Sequence, residues 1–529
     1  MPLSNEQWNA PAAGGDFYDY QITQSARFLG NSYLTKSNFG TDTSTTKKCA
    51  SVWCKRSLIN NSSAVQQLMN GYLQDSTNDA IMFENDGISY YGASGGRQGH
   101  AKFRNRDVSA WYHIAAIIDT TQGTAANRLK FYINGVQIAI NATNFTLDSD
   151  GLPIQNAAVG YGQVNSKMDI GRYAPYNSNF FTGLIAEVIV IDGPGSIDNF
   201  GEFKNGVWKP VDPSGLTFGT NGFHLDFANS SAFGNDVSGN NNDFSVGNLS
   251  THDKMLDTPT FGGGSTGGNF CTGNSIYKGK ALTSGVYGTL SEGNLKHSFV
   301  NNQDASIPCT HKTPASGKWY FEWAIIAGGG SAGYSPSMGI IDPNVFIYPN
   351  SSINSAGLIA YDNATNKVKK YGTFVTTYGG SRGSNADVMG IAVDLDNGAF
   401  YVSKNGTYFA NSGGTTGDPT SGGSKTGAGT TWTVGTDFTS GFVPISQPTG
   451  GSAPIIHMNF GQEGTFGGTE TAGGNADANG FGNFFTAPPT DYLAICSGNL
   501  TAVADPAEDD GPYKYFAPKL YTGDGASTL

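Results

Sequence analysis

The residues able to do chemistry are few and scattered. Nine glutamates (Glu6, Glu84, Glu187, Glu202, Glu292, Glu322, Glu463, Glu470 and Glu508) are spread over 529 residues. Hydrolysis of a glycosidic bond needs two carboxylates held ~5–10 Å apart across a cleft. Glu187 stands among apolar neighbours in "GLIAEVIVID", and Glu322 lies between Phe321 and Trp323 in "GKWYFEW". Each is a lone carboxylate and reads as an outward-facing or hydrogen-bonded residue. No Gly-x-Ser-x-Gly elbow joins a strand to a helix, and the 7 histidines have no evident partners, so a serine or cysteine nucleophile lacks its base. The tracts "GGGSTGG" and "SGGSKTGAGTT" lack the Gly-x-x-x-x-Gly-Lys-Ser/Thr order that cradles phosphate, and read as linker and loop. Cys49, Cys54, Cys271, Cys309 and Cys496 fit no metal-ligand spacing and read as buried free thiols. The expectation is a protein that is not an enzyme.

Binding chemistry is better represented. "GNDVSGNNND" offers Asp236, Asn240, Asn242 and Asp243, hard oxygen donors that suit calcium. The same phrase forms Asx turns, which is the preferred reading, so no cofactor is expected. A sugar site pairs an aromatic platform with polar groups on loops. Tyr348, Tyr378 with Arg382, and Trp432 are the loop-borne candidates.

The elements that must position these groups are strands. Only 14% of residues are Asp, Glu, Lys or Arg, glycine alone numbers 74, and helix-rich Glu/Lys/Leu/Ala stretches are missing. Aromatics at 12% supply surface to bury, which argues against disorder throughout. "ASVWCKRS" alternates, setting Val52 and Cys54 against Trp53 and Lys55. "LKFYING" places Leu129, Phe131 and Ile133 together. "GLIAEVIVID" places Leu184, Ala186, Val188 and Val190 on one face, with Ile185, Glu187 and Ile189 on the other. "DVMGIAVDLDNGAFYVSKNG" (387–406) is a hairpin whose rows Met389, Ile391, Val393, Leu395 and Phe400, Val402 face a second sheet. Its Asn397-Gly398 and Asn405-Gly406 steps supply positive φ. Many strands with Gly or Asn turns and no helical runs mean antiparallel sandwiches.

The pattern "WYHIA…LKFYING" followed by "MDIGR…FFTGLIAEVIVID" resembles the laminin G and concanavalin A-like lectin/glucanase superfamily, over about residues 30–230. The related glucanases carry a Glu-x-Asp-x-x-Glu strand, and no glutamate here begins one. "GKWYFEW", "SMGIIDP", the 387–406 hairpin and "APIIHMNFGQEGTF", in that order, resemble a SPRY (B30.2-type) domain. That resemblance implies a two-sheet jelly roll binding ligands through loops at one end. Together they give an all-β chain of two tandem antiparallel jelly-roll sandwiches. The parts are an N-terminal docking arm (1–28), a laminin G/concanavalin A-like sandwich (29–228), a Gly/Asn-rich linker (229–268), a SPRY-like sandwich (269–490) and a C-terminal tail (491–529). The Gly-rich tract at 262–268 implies some freedom between the two.

The pairing of domains and the Asn-Gly-rich wording, with "PPTDYLAICSGNL…" at the end, resemble bacteriophage tail-fibre, adhesin and other virion surface proteins. That resemblance implies localisation on the virion, attachment to other virion proteins through the arm, and binding of a host-surface glycan or other receptor. A purely structural virion component, such as a capsid decoration or tail joint, is the alternative; a glycan-degrading enzyme ranks lower. With a net charge of −12 and only "KFRNR" (102–106) and "KVKK" (367–370) as basic clusters, both read as solvated surface, no nucleic acid is expected. No window has the ~18 apolar residues of a membrane-spanning helix, and the start lacks the basic and apolar regions of a signal peptide. A homo-oligomer would have to form through the arm or the sandwich surfaces, since no heptad stretch would drive one.

Overall fold

The computed structural model describes residues 17–59, 65–73, 77–92, 96–141, 143–146, 152–173, 177–261, 267–276, 288–300, 306–330, 335–345, 357–449 and 453–500. They form two antiparallel jelly-roll sandwiches. In the first, one 8-stranded sheet runs Val136–Ile138, Leu129–Ile133, Trp111–Asp119, Lys47–Arg56, Thr182–Ile191, Ser25–Leu29, Lys254–Met255, with Phe223–Leu225 added against Thr182–Ile191. The facing 8-stranded sheet runs Phe145–Thr146, Gly96–Ala101, Gly87–Gly92, Thr77–Glu84, Val65–Leu73, Lys167–Ile170, Tyr33–Ser37, Ser245–Gly247.

Alternation explains why these segments are strands. Val52, Cys54, Ile114, Ala116 and Phe131 from the first sheet meet Leu34, Ile81, Phe83, Tyr90, Met168 and Ile170 from the second in one buried core. Each such aliphatic side chain contributes roughly 1.5–3 kcal/mol on burial. The strand Thr182–Ile191 departs from simple alternation. Its register against Lys47–Arg56 shifts between Ile185 and Glu187. Ile185, Val188 and Val190 therefore face the sandwich core, while Leu184 and Ala186 join the interface cluster and Ile189 and Ile191 pack outside under Phe200 and Phe218. The expected alternation holds on each side of that bulge but not across it, because an inserted residue re-aims every side chain after it, so Leu184 and Ala186 lie on the face opposite Val188 and Val190.

The second sandwich sets a 9-stranded sheet against a 6-stranded one. The larger runs Gly288–Ser291, Lys296–Phe299, Ile455–Asn459, Lys318–Ala327, Val388–Asp394, Ala399–Lys404, Thr407–Tyr408, with Thr430–Thr431 and Leu493–Ala494 attached off this path. The smaller runs Ile307–Pro308, Val443–Thr449, Ser335–Ile341, Leu358–Asp362, Lys367–Lys370, Thr373–Thr377. Met389, Ile391 and Val393, the row expected from the sequence, pack with Trp319, Phe321 and Trp323 against Met338, Ile340, Ile359 and Val368. Asn405 and Gly406 take φ of 47° and 81°, whereas at the other turn Gly398 alone is left-handed, at 75°. There the Gly398 N–H reaches back to the Asp394 carbonyl (2.8 Å), a longer loop that leaves Asn397 with ordinary φ.

Three stretches read as arm, linker and tail belong to the sandwiches. Residues 17–28 are not a free arm: Ser25–Leu29 pairs with both Thr182–Ile191 and Lys254–Met255. Phe17 and Phe28 are buried, and the Tyr20 hydroxyl donates to Glu187 (2.8 Å). Residues 1–16 lie outside the described residues. The stretch 229–261 contributes Ser245–Gly247 to the second sheet and Lys254–Met255 to the first. Of the Gly-rich tract, 262–266 lie outside the described residues. In the tail, Tyr492, Ile495 and Cys496 are fully buried, and the Cys271 N–H donates to the Ile495 carbonyl (3.1 Å). Residues 501–529 lie outside the described residues. All five cysteines are buried and free.

The two sandwiches share a buried interface. Trp53, Trp111 and Leu184 on the outer face of the first sheet share one buried cluster with Phe270, Leu295 and Ile495. At its centre the Lys55 ammonium donates to Asp257 Oδ2 (2.7 Å), Asn269 Oδ1 (2.7 Å) and the Phe270 carbonyl (3.0 Å). Trp111 Nε1 donates to Asp257 Oδ1 (2.9 Å). Burial pushes the Asp257 carboxyl above its usual range, and the Lys55 charge pulls against that shift. Nearby, Arg27 pairs with Asp253 (3.2 Å) and Glu463 (3.4 Å), all buried.

Candidate functional site

The strand Lys167–Ile170 lies between Tyr33–Ser37 and Val65–Leu73, deep in the second sheet of the first sandwich. Met168 and Ile170 enter the core, so alternation turns Lys167 and Asp169 to the outer face. Asp169 stands opposite Thr35 on one side and Asn70 on the other. Asn70 stands opposite Ala80, and Ala80 opposite Tyr91. One polar row thus crosses the sheet: Thr35, Asp169, Asn70, Ala80, Tyr91. On the adjoining rungs Lys167 faces Tyr72, while Met82 lies between Gln67 and Ser89. Tyr33, Tyr72 and Tyr91 are all half-buried around this row.

Arg172 closes one end. Its guanidinium carbon lies 3.3 Å from the centre of the Tyr33 ring, its Nε donates to Asp169 Oδ2 (3.2 Å) and its Nη1 to Asn177 Oδ1 (2.6 Å). That fixes one carboxylate oxygen and leaves the other. Asp169 Oδ1, both Nδ2 and Oδ1 of Asn70, Thr35 Oγ1 and Ser89 Oγ are buried with no hydrogen-bond partner in the protein. Asn70 and Asp169 are themselves 0% exposed. Leaving a buried polar group unpaired costs about 1–3 kcal/mol, so these atoms call for partners beyond the chain, whether ordered water or a ligand. The row and its adjoining rungs offer an acceptor, an amide that both donates and accepts, two hydroxyls and tyrosine rings. This is the equipment to hydrogen-bond neighbouring hydroxyl groups and stack on an apolar ring face. Glu84, on the same face, is four residues from Ala80, about 13 Å along the strand and beyond the spacing a carboxylate pair needs.

Of the residues expected to form a site, Tyr378, Arg382 and Trp432 lie among the described residues, and both rings point inward. Tyr348 lies outside the described residues. Tyr378 is 4% exposed, its ring packed on Phe409 (5.0 Å) and Tyr361 (6.0 Å), with Gly429 making room for its hydroxyl. Trp432 is 5% exposed and packs on Phe438 (5.2 Å). Neither presents a free ring face, because each plugs its own sandwich. Arg382 Nη1 donates to the Ala364 carbonyl (2.6 Å) and holds a turn. Arg382 and Trp432 also sit at opposite ends of the Val388–Asp394 hairpin. Lys404 ties the Ser381 loop to one end (2.8 Å), while the Trp432 N–H bonds Gly398 at the other (3.0 Å), roughly 20 Å away.

The suggested calcium ligands take part in hydrogen bonds within their own loop and with Gly222 and His224. Asp236 Oδ1 accepts from the His224 and Ser238 amides, and its Oδ2 accepts from the Asn242 amide and the Ser238 hydroxyl. Asn240 and Asn242 both donate to the Gly222 carbonyl, and Asp243 accepts from the Asp236 amide. Both Asp236 oxygens are thereby taken up by an Asx-turn network.

Three other chemistry-bearing groups are engaged within the fold. His113 Nε2 contacts Ser51 Oγ (2.8 Å), but its Nδ1 accepts from Trp208 Nε1 (3.0 Å). The Nε2 therefore carries the proton and cannot take one from Ser51; burial also lowers the His113 pKa to about 3. Glu187 is buried between Tyr20 and His224. Glu322 accepts from Thr486 N (2.7 Å), Phe485 N (2.9 Å), Tyr320 Oη (3.0 Å) and Asn459 Nδ2 (3.3 Å), pinning the 484–486 loop to the sheet. Its complete burial raises the carboxyl to about 7 against those four donors.

Sequence reading missed the polar row because it is split over five strands and visible only in register. Its signal was "MDIGR", where Asp169 stands between two core residues.

No protein-family model matches the sequence, and no curated protein matches it. Solved structures similar to it include a human SPRY domain, at 14% identity over 33% of this chain and 96% of that domain (TM-score 0.23). A putative carbohydrate-binding protein from Bacteroides ovatus is similar at 17% identity over 44% of this chain and 61% of that one (TM-score 0.27). A heptameric SAP-like pentraxin from Limulus polyphemus is similar at 12% identity over 34% and 80% (TM-score 0.24). The fold assignment rests on the strand order and register described above.

Proposed function

We propose that this is a non-enzymatic carbohydrate-binding protein whose first sandwich holds a hydroxyl-rich sugar across the Thr35–Asp169–Asn70–Tyr91 row. The observation that carries this reading is the pair of fully buried, neighbouring side chains, Asn70 and Asp169, with hydrogen-bonding atoms left open. Neutral sugar hydroxyls satisfy such atoms, and the half-buried tyrosines supply stacking surface. We further place the protein on a bacteriophage particle, of tail-fibre or adhesin type, engaging a host-surface glycan. The domain pairing and the Asn-Gly-rich wording of the chain support that setting. Single-site binding is weak, near millimolar, and copies clustered on a particle raise it by avidity. Attachment to other virion proteins then falls to surfaces other than residues 17–28, which are committed to the chain's own core.

The test is glycan-array and whole-cell binding by the purified chain, repeated with Asn70→Ala and Asp169→Asn. Each variant should weaken binding about tenfold, the equivalent of one lost hydrogen bond to a charged or fully buried group. Glycan bound equally well by both variants overturns the site. No glycan or cell binding by the folded chain leaves a purely structural virion role as the better reading, and release of shortened sugars would restore the enzyme.

A further inference from the structure

Lys55, Asp257 and Asn269 meet at the interface in an arrangement suited to a covalent reaction. Lys55 stands opposite Trp111 on one neighbouring strand and Leu184 on the other, and both belong to the apolar interface cluster. Its Nζ lies 2.7 Å from Asn269 Oδ1, one C–O bond from an amide carbon. A nucleophile and an electrophile held at such range react as one molecule, at an effective concentration that no bimolecular encounter reaches. The third group is a proton acceptor. Asp257 Oδ2 is 2.7 Å from the same Nζ, and Trp111 Nε1 fixes the other oxygen (2.9 Å). Burial pushes the Asp257 carboxyl up, which suits it to receive the Lys55 proton and leave a free amine. Asn269 is anchored on its far side. Its Nδ2 donates to the Ser109 carbonyl (2.7 Å), and its main chain exchanges hydrogen bonds with Ser497 in both directions (2.9 Å each). All three side chains are buried, so water that would compete for the amide is excluded.

We propose that Lys55 and Asn269 join in an intramolecular isopeptide bond, with Asp257 as the catalytic residue. Asp257 takes one proton from the ammonium, and the free amine attacks Asn269 Cγ to form the Nζ–Cγ bond. A second proton moves from Nζ, by way of the Asp257 carboxyl, to Nδ2. The Cγ–Nδ2 bond then breaks and ammonia leaves. Nothing is oxidised or reduced, and the first proton stays on Asp257 or departs with the ammonia. The product replaces a buried ion pair by a neutral amide, which removes the desolvation penalty that two buried charges carry. The new bond ties residues 214 apart in the chain, fastening the strand Lys47–Arg56 of the first sandwich to the segment that Ser497 holds on the second. In the unreacted chain the same groups form the ion pair described above. The crosslink is separate from the polar row of the first sandwich and does not depend on sugar binding.

The test is mass spectrometry of the purified, folded full chain, first intact and then digested with trypsin. The expected result is a chain lighter by one ammonia and a branched peptide that joins the Lys55 fragment to the Asn269 fragment. The branch is the decisive readout, because Asn-Gly steps also lose ammonia when they close to succinimides. Asp257→Asn and Asn269→Ala should each give only linear peptides, with tryptophan fluorescence matching the parent's as the check on folding. The measurement on the parent asks nothing of any variant. A folded parent that yields only linear peptides after several days at physiological temperature overturns the proposal. A Lys55 branch on Asp257, marked by loss of water in place of ammonia, overturns it as well. Joining of Lys55 to Asn269 in Asp257→Asn at the parent's rate overturns the role given to Asp257.

Discussion

Replacing Lys55 by alanine tests whether the two sandwiches are one thermodynamic unit. The ammonium makes three short bonds at the centre of the interface, to Asp257, Asn269 and the Phe270 carbonyl. Lys55 and Asp257 are both buried, with side-chain exposures of 3% and 0%, so water cannot replace the lost partner. Removing one member of such a pair strands the other charge and costs about 3–5 kcal/mol. That is roughly two to four orders of magnitude in the unfolding equilibrium. Most of the loss belongs to the uncompensated carboxylate, so Lys55→Ala with Asp257→Asn should recover about 2 kcal/mol or more, the amide still accepting from Trp111. Urea unfolding with linear extrapolation measures both variants, followed by tryptophan fluorescence, since Trp53 and Trp111 lie in the interface. The single variant should also show two separated transitions where the parent shows one. A loss under about 1 kcal/mol, or a double variant no better than the single, would refute the assignment of Lys55 and Asp257 as the coupled centre.

Asn70→Leu should abolish sugar binding yet raise stability by about 1–2 kcal/mol, because it removes an amide with both ends unpaired; a loss of stability would mean that the amide has partners in the empty protein. Glu322, held near 7 in the fold, contributes stability that is complete below its unfolded pKa and lost as pH rises through its folded value. Between about pH 5 and pH 8 its contribution should fall by on the order of 2–3 kcal/mol. His113 and His297, both lowered to about 3 by burial, pull the other way: stability falls as pH drops below their unfolded value. The Glu322 effect is therefore read as the difference between the parent and Glu322→Gln, and an unchanged pH slope would discount it. Trp432→Ala should cost about 3–5 kcal/mol while leaving sugar affinity of the folded fraction unchanged; weakened affinity with intact stability would return the site to the second sandwich.

The sheets were legible where one face alone carries the pattern. Trp319, Phe321 and Trp323 share a side because period-2 alternation leaves no other solution, and the 387–406 hairpin follows from its apolar rows. Legibility ended where a residue was inserted. The shift between Ile185 and Glu187 flips half a strand, and no local feature of "GLIAEVIVID" announces it. Residues 229–261 looked like linker because Asn and Gly dominate them, yet their backbone groups complete both sheets of the first sandwich. Tyr378 and Trp432 illustrate the reverse error, since a loop can carry its aromatic inward as readily as outward. The polar row required knowing which strands are neighbours, information that lies in long-range pairing and not in any segment.

The clamp around Arg27 has a consequence in time. Arg27 and Glu463 are 436 residues apart in the chain. At ribosomal rates of about 5–20 residues per second, Arg27 emerges roughly 20–90 s before its carboxylate partner exists. During that interval the outer face of the first sheet, with Trp53, Trp111 and Leu184, lacks the completed second sandwich that covers it. Newly made chains should therefore pass through a sticky half-finished stage, which a chaperone or slower expression at lower temperature would protect until the second sandwich closes over it.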